Sequence, residues 1–246
     1  MDGALFCAMT ITSPQNQHLT EIRKLARAST RSGSGRFVIE GEDLYAAAAA
    51  AGIAPLYVLC VDGHEQAATP GWLEVAPALL AKVSALGSSS RVIGVYEQRW
   101  SAPVGPLVVA LWGVGDPGNV GTIIRAAHAF GASGVAVGPG SADPYGPKAV
   151  RASMGAIFAT AIARCSGIAE LPGRIVALAP GAGRPLRGPL EGAVTLLVGG
   201  EREGLAPEVL ELCHEVCHIP QADGDSLNAA MAATVALYEA TRMAAP

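Results

Sequence analysis

The chain has 246 residues, of which 50% are hydrophobic and 15% are charged, and its formal net charge is −4. This length supports one large domain or two smaller ones, and the negative charge excludes a general attraction to nucleic acid, so any RNA site must be a local basic patch. Five scattered cysteines, an odd number, argue against a disulfide framework and are typical of reduced thiols in a cytoplasmic protein.

A basic helix is the first predicted element. We expect Ser13 to cap it and Pro14 to be its first residue, since apolar residues then recur at helical spacing through residue 26. Guanidinium groups and backbone amides of this helix and of the Ser/Gly-rich loop after it can contact a phosphate backbone, although a solvated helix face is the simpler interpretation. The candidate RNA-binding residues here are Arg23, Lys24, Arg27, Arg31 and Arg36.

Strands and helices then alternate over about a hundred residues, which indicates an α/β domain. Strands are predicted at 36–40, 56–59 and 92–96, and helices at 45–51 and 78–86. The alanine-rich run 46–51 is broken by Gly52 and Pro55, so it is not a membrane span, and no leader is apparent. Residues 98–106, with two prolines and no periodicity, are the predicted linker between a first domain, 1–97, and a second, 107–246.

The second part opens with a predicted strand at 107–112 and a glycine-rich loop. Gly113, Gly115 and Gly118 satisfy the pattern of a dinucleotide-binding loop between a strand and a helix. Pro117 lies inside this loop and removes an amide donor where a pyrophosphate would need one, and no clear ribose-binding acid follows about twenty residues on. The pattern is therefore weak support for a dinucleotide-dependent oxidoreductase.

Arg125 lies on an otherwise apolar predicted helix, six residues after Asn119. An arginine in that setting is costly unless it is paired or points to solvent. A structural salt bridge and a contact to a phosphate or ribose are both open interpretations.

Two further groups of polar residues are candidate sites. Lys148 and Arg151 are about one helical turn apart, so they can clamp one RNA phosphate or form a surface pair. The run from Cys213 to His218 offers two cysteines and two histidines as four potential metal ligands but lacks the spacing of a structural zinc site, so we expect no metal.

The segment 195–241 contains a buried strand, a turn at Gly199 and Gly200, and a long helix starting near Ser226. That helix has almost no charge until Glu239, so most of its faces must be buried. We expect Ser226 to be its N-cap.

Three motifs, in this order, resemble those of the SpoU family of RNA ribose 2′-O-methyltransferases, in the SPOUT class. They are DPGNVGTIIRAAHAFGASGV, LLVGGEREGL and IPQADGDSLNAAMAA, and the likeness spans residues 107–242. Residues 1–97 resemble, more weakly, the substrate-binding domain, similar to ribosomal protein L30e, that precedes the catalytic domain in many members. Asn16 and the phrases FVIEGEDL and VIGVYE are the points of likeness.

The resemblance implies an α/β fold with a mostly parallel sheet and a deep trefoil knot, S-adenosylmethionine as cofactor, an RNA substrate, and a homodimer formed through the catalytic domain. Residue by residue, it implies Asn119 and Arg125 as catalytic residues facing the RNA. The implied cofactor-binding residues are Gly199, Gly200, Glu201, Ile219, Ser226, Leu227 and Asn228. Close approach of backbone to a ligand at the two glycines agrees with this assignment.

The expected activity is methyl transfer from S-adenosylmethionine to a ribose 2′-hydroxyl of structured RNA, with ribosomal RNA ahead of transfer RNA. A non-catalytic RNA-binding protein, based on the basic helix, and a dinucleotide-dependent oxidoreductase remain the alternatives from other classes. Neither a metal nor a membrane enters the expected function.

Overall fold

The computed structural model describes residues 10–85, 87, 90–201, 203–222 and 227–242. These residues form two compact units. The first comprises the described residues up to Gln98 together with Tyr145–Arg151, and the second comprises Arg99–Pro144 and the described residues from Ala152 onward. The predicted linker, 98–106, is therefore largely part of the second unit.

The first unit is an α/β layer, as expected, in which helices pack on a sheet ordered β1-β4-β2-β3. Strand β4 runs antiparallel to β1 and β2, whereas β2 and β3 are parallel. Leu19, Ile22 and Leu25 of the first helix are buried in its core. The elements are α1 Gln17–Leu25, α2 Ala28–Ser34, β1 Arg36–Glu40, α3 Glu42–Ala50, β2 Tyr57–Val61, β3 Trp72–Val75, α4 Pro77–Val83 and β4 Val92–Glu97.

Helix α1 begins later than the sequence indicated. Asn16, not Ser13, is its cap, and the Asn16 side chain accepts a hydrogen bond of 2.9 Å from the His18 amide. Asparagine caps as well as serine does, and local preference alone could not choose between them. Strand β3 and helix α2 were not predicted.

The described residues of the second unit form an eight-stranded sheet ordered β10-β12-β9-β11-β6-β7-β8-β5. Every pairing in this sheet is parallel, so the predicted α/β class is confirmed. The elements from residue 99 onward are β5 Trp100–Ser101, β6 Leu107–Trp112, α5 Pro117–Ala129, β7 Gly134–Val137, α6 Pro147–Ala152, α7 Ala156–Ala159, β8 Ala161–Arg164, a 3₁₀ helix Ile168–Glu170, β9 Arg174–Leu178, β10 Arg184–Pro185, β11 Val194–Gly199, α8 Pro207–Glu211, β12 Glu215–His218 and α9 Ala229–Thr241.

Strands β9, β11 and β6 lie side by side, and their residues are mostly buried apolar side chains, as parallel strands covered on both faces require. Helix α9 packs on both α5 and β11. The segment 188–190 is hydrogen-bonded to the C-terminal end of α9, where the Leu190 amide donates to the Ala240 carbonyl over 3.0 Å. The trefoil knot stays a prediction. No helix among the described residues is long and apolar enough to cross a membrane.

Candidate active site

The carboxyl ends of the three adjacent strands β9, β11 and β6 form the edge on which the site is built. Gly199 of β11 pairs with Trp112 of β6, and Val198 pairs with Leu178 of β9. Loops leaving strands at this edge of a parallel sheet commonly carry ligand sites. Here they contain two of the motifs singled out in the sequence.

Glycines let two of these loops touch each other. A β-carbon on Gly200 would overlap with the carbonyl oxygen of Gly113, and one on Gly199 would lie 2.6 Å from the carbonyl carbon of Gly204. A β-carbon on Gly140 would lie 3.2 Å from the Cα of Gly113. From the sequence, Gly199 and Gly200 are explained by the space that a ligand needs. That explanation is incomplete, because backbone packing within the protein already requires both glycines.

A cavity of about 240 Å³ opens at this edge. A smaller cavity shares Leu178, Pro180, Leu227 and Ala232 with it and extends to Ile219 and Gln221. The two cavities are lined by five of the predicted cofactor-binding residues, namely Gly199, Gly200, Glu201, Ile219 and Leu227. Ser226 lies outside the described residues. The sequence pattern did not identify Leu178, Pro180 and Ala232 as lining residues. For Leu178 and Pro180, the available signal was their position close to the end of a strand.

Three polar side chains from the three motifs are joined beside this cavity. The Asn119 amide nitrogen donates to the Glu201 carboxylate, and the Asn228 amide nitrogen donates to the Asn119 side-chain oxygen over 3.1 Å. The Asn228 oxygen in turn accepts from the backbone amides of Ala230 and Met231 at 2.9 and 3.3 Å, so Asn228 caps α9. The predicted cap, Ser226, is replaced in that role because the helix begins only at Ala229.

The glycine-rich loop before α5 is closed by Asp116. The Asp116 side-chain oxygen accepts a hydrogen bond of 2.9 Å from the backbone amide of Asn119, and Pro117 lies in the first turn of α5. A carboxylate therefore holds the helix N-terminus, where the pyrophosphate of a dinucleotide would need free amides. This arrangement argues against the dinucleotide-binding alternative.

Arg125 is exposed on α5 and makes no hydrogen bond or ion pair with any residue that the structure describes. The structural salt bridge considered from the sequence is therefore absent from the described part of the chain. Six residues of helix separate Arg125 from Asn119, about 9 Å along the axis. Arg125 does not line the cavity described above. The structure thus brings Asn119, but not Arg125, into contact with the predicted cofactor residues.

The basic residues near the N-terminus divide into two groups. Arg23, Lys24 and Arg27 are exposed. Arg31 is 4% exposed and donates to the carbonyl oxygens of Leu25 and Ala26 at 2.8 and 2.9 Å. This arginine completes hydrogen bonding at the end of α1, so the structure gives it a structural role in place of the expected RNA contact.

The other proposed phosphate ligands are also partly engaged. Arg36 forms an ion pair of 2.7 Å with Glu21, whose second oxygen accepts from the Tyr57 hydroxyl. Arg151 is paired with Asp43 over 3.4 Å, while Lys148 is exposed. Lys148 and Arg151 both belong to the first unit, which the sequence order did not indicate.

The run from Cys213 to His218 has structural roles. The Ile175 amide donates to the Nδ1 of His214 over 3.0 Å, and the Cys213 thiol contacts the Val209 carbonyl. Burial raises the pKa of the Cys213 and Cys217 thiols, which disfavours the thiolate that a metal would need. Among the described residues, no group of three or more potential ligands could hold a metal.

Comparison with known proteins identifies the family of this chain. Residues 106–238 match the model of the SpoU rRNA methylase family. An rRNA methyltransferase from Sinorhizobium meliloti, solved with S-adenosylmethionine bound, is 33% identical and matches over 95% of this chain and 97% of its own, with a TM-score of 0.83. A solved RNA 2′-O ribose methyltransferase is 31% identical over 95% of this chain and 98% of its own, with a TM-score of 0.75.

A similar relative is a 23S rRNA uridine 2′-O-methyltransferase of Streptomyces viridochromogenes. It is 40% identical over 142 residues, which are 52% of this chain and 49% of that protein. The family match covers more than half of the described chain and includes the three motifs that meet at the cavity. The resemblance predicted from those motifs is thereby confirmed, and the chain belongs to the SpoU rRNA methylase family.

Proposed function

We propose that this protein transfers a methyl group from S-adenosylmethionine to a ribose 2′-hydroxyl of structured ribosomal RNA. One observation carries the proposal: Asn119, Glu201 and Asn228, one from each motif, are hydrogen-bonded together beside a cavity at the carboxyl edge of the sheet. Membership of a family of rRNA methylases makes methyl transfer to RNA the reaction to expect there.

The residues of the cavity fit S-adenosylmethionine. Leu178, Ile219 and Leu227 offer apolar walls for a flat adenine ring. Glu201 and Glu203 line the larger cavity, and their carboxylates favour a cationic ligand over an anionic one. The similar rRNA methyltransferase of Sinorhizobium meliloti binds this cofactor, which supplies a methyl group already activated by a positive sulfonium.

The chain's own residues then need to align the ribose and assist the loss of its proton. The Asn119 amide is held by Glu201 and Asn228, so its orientation is set before substrate binds, which is the arrangement that makes alignment effective. The exposed Arg125 guanidinium suits a backbone phosphate and the negative charge that develops on the 2′-oxygen. Because a guanidinium is effectively never deprotonated in proteins, we propose that the proton goes to an RNA phosphate or to solvent.

We further propose that the second unit forms a homodimer through the outer face of α9. Met231, Val235 and Tyr238 recur at helical spacing and are 62%, 42% and 54% exposed, an apolar stripe of the kind that marks an interface. The Tyr238 ring contacts Phe130, the residue that ends α5. Since α9 packs on α5, a dimer on this face would include the end of α5 at Phe130.

The first unit is proposed to hold the RNA. Its described surface offers Arg23 and Lys24 in the last turn of α1, Arg27 at the N-cap of α2 and Lys148 on α6, and each of these side chains is exposed. Such a local patch attracts a phosphate backbone although the whole chain carries a charge of −4.

The test is methyl transfer to defined RNAs. Purified protein, radiolabelled S-adenosylmethionine and transcripts of ribosomal and transfer RNA are incubated, and the labelled RNA is then hydrolysed with alkali. A 2′-O-methyl group blocks cleavage at its own nucleotide, so label in alkali-resistant dinucleotides supports the proposal. Label in mononucleotides alone would place the methyl group on a base and overturn it. Label in transfer RNA but not in ribosomal RNA would correct the substrate.

A further inference from the structure

A second crevice, apart from the cofactor cavity, opens at the carboxyl ends of β7 and β8. Its volume is about 350 Å³. It is lined by residues of the loop 138–144, which follows β7, by Arg164 at the end of β8 and by Trp100 of the edge strand β5. These residues all belong to the second unit, and the activity proposed above does not use them.

A cation and an aromatic ring meet in this crevice. The Arg164 guanidinium carbon lies 4.2 Å from the centroid of the Trp100 ring. Arg164 is exposed and forms no ion pair with a carboxylate in the described part of the chain. A planar guanidinium stacks on π systems and is weakly hydrated, and one that is not held by a carboxylate can accept a second flat group.

Hydrogen bonds connect the crevice to the glycine-rich loop before α5, residues 113–116. The Gly113 amide donates to the Pro139 carbonyl over 2.9 Å, and the Val114 amide donates to the Ser141 hydroxyl oxygen over 3.2 Å. The Ala142 amide returns a bond of 2.9 Å to the Val114 carbonyl. Gly113 packs against Gly200, which lines the cofactor cavity, so a single loop, residues 113–116, lies between the two sites.

We propose that this crevice binds one unpaired nucleobase of the RNA, next to the methylated nucleotide, stacked on Arg164 and Trp100. The inference rests on the proposed function for its choice of RNA as the ligand. Unpaired bases are recognised by stacking on aromatic rings and guanidinium planes. The flat surface that Arg164 and Trp100 present in the crevice matches a planar base, which is why the base, and not the backbone, is the group assigned to it.

Tryptophan fluorescence of the full-length protein tests the contact directly. The probe is a single-stranded ten-nucleotide RNA of mixed sequence, and stacking of a base on Trp100 quenches its emission. Trp100→Phe should lose most of the quenching. Trp72→Phe is the matched control, because Trp72 is 6% exposed in the first unit, and it should keep the quenching. Unchanged quenching in Trp100→Phe would overturn the proposal.

Affinity for the same probe provides the second measurement. Arg164→Ala should weaken binding about tenfold, the scale of one lost stacking contact. Arg187→Ala removes the same charge from another exposed position and should change the affinity less than twofold. Equal losses in both variants would reduce Arg164 to a general electrostatic effect and refute stacking. Competition by inorganic phosphate at constant ionic strength would identify a phosphate site and overturn the assignment to a base.

Cofactor titration and methyl transfer on the same samples separate this inference from the proposed function. Normal 2′-O-methyl transfer without quenching at Trp100 sinks the stacking site alone. Quenching that depends on Trp100, in a protein that methylates no ribose, supports the stacking site and sinks the proposed reaction.

Discussion

The side-chain amide of Asn228 donates a hydrogen bond of 3.1 Å to the side-chain oxygen of Asn119, although 109 residues separate them in the chain. Asn228 is also the N-cap of α9, and Asn119 follows the cap of α5. One hydrogen bond thus joins the starts of the two helices that pack against each other. The arrangement of the side chains in the proposed active site therefore depends on the capping of both helices.

Asn228→Ala should weaken S-adenosylmethionine binding about tenfold, because the loop before α9 loses its bond to Asn119, and should also cost about 1 kcal/mol of stability through the lost cap. Asn16→Ala is the matched control, since Asn16 caps α1 through a bond of the same length, 2.9 Å, to a backbone amide. Calorimetric titration and thermal unfolding measure both effects. Equal cofactor affinity in the two variants would contradict the proposed link between cap and site.

Arg125→Ala should lower single-turnover methyl transfer about a hundredfold or more, the scale of losing one preorganised charge-stabilising donor. Its melting temperature should stay close to that of the unaltered protein, because Arg125 is exposed and has no partner among the described residues. Arg125→Lys should rescue only part of the rate, since an ammonium cannot make a planar two-pronged contact. Normal turnover in Arg125→Ala would remove this residue from the catalytic set.

Ala232→Leu should reduce S-adenosylmethionine affinity at least tenfold, because Ala232 lines both parts of the cavity and a larger side chain would fill them. Gly200→Val is a poorer test, since its β-carbon already overlaps with the Gly113 carbonyl and would disturb the loop itself. Ala169→Leu, at an exposed position outside both cavities, is the control. Unchanged cofactor titration in Ala232→Leu would place the cofactor elsewhere.

Val235→Asp should dissociate the proposed homodimer, because it puts a charge into the middle of the apolar stripe on α9. Leu212→Asp makes the same kind of change at a residue that is 63% exposed outside the stripe and should leave the dimer intact. Sedimentation equilibrium gives the mass of each variant. A monomeric unaltered protein, or a dimer that survives Val235→Asp, would refute this interface.

The sequence by itself determined the elements that depend on local pattern. The predicted strand at 107–112 became β6, Leu107–Trp112, and that at 36–40 became β1, Arg36–Glu40. A buried parallel strand is a continuous apolar run, and such a run can be recognised without knowing its neighbours. The second and third motifs likewise contain most of the residues that line the cavity, and five of these are assigned to the cofactor by the resemblance.

Only the tertiary structure decided what depends on partners distant in sequence. Arg31 looks like its exposed neighbour Arg27 in the sequence, but it is buried because the carbonyls at the end of α1 lie within its reach. Gly200 is required by the backbone of Gly113, 87 residues earlier in the chain. Trp100 lies in a stretch that reads as linker, yet parallel pairing with β8 makes it an edge strand and brings it to Arg164. Composition and periodicity carry no record of such contacts, because the free energy that selects them arises only when the chain has folded.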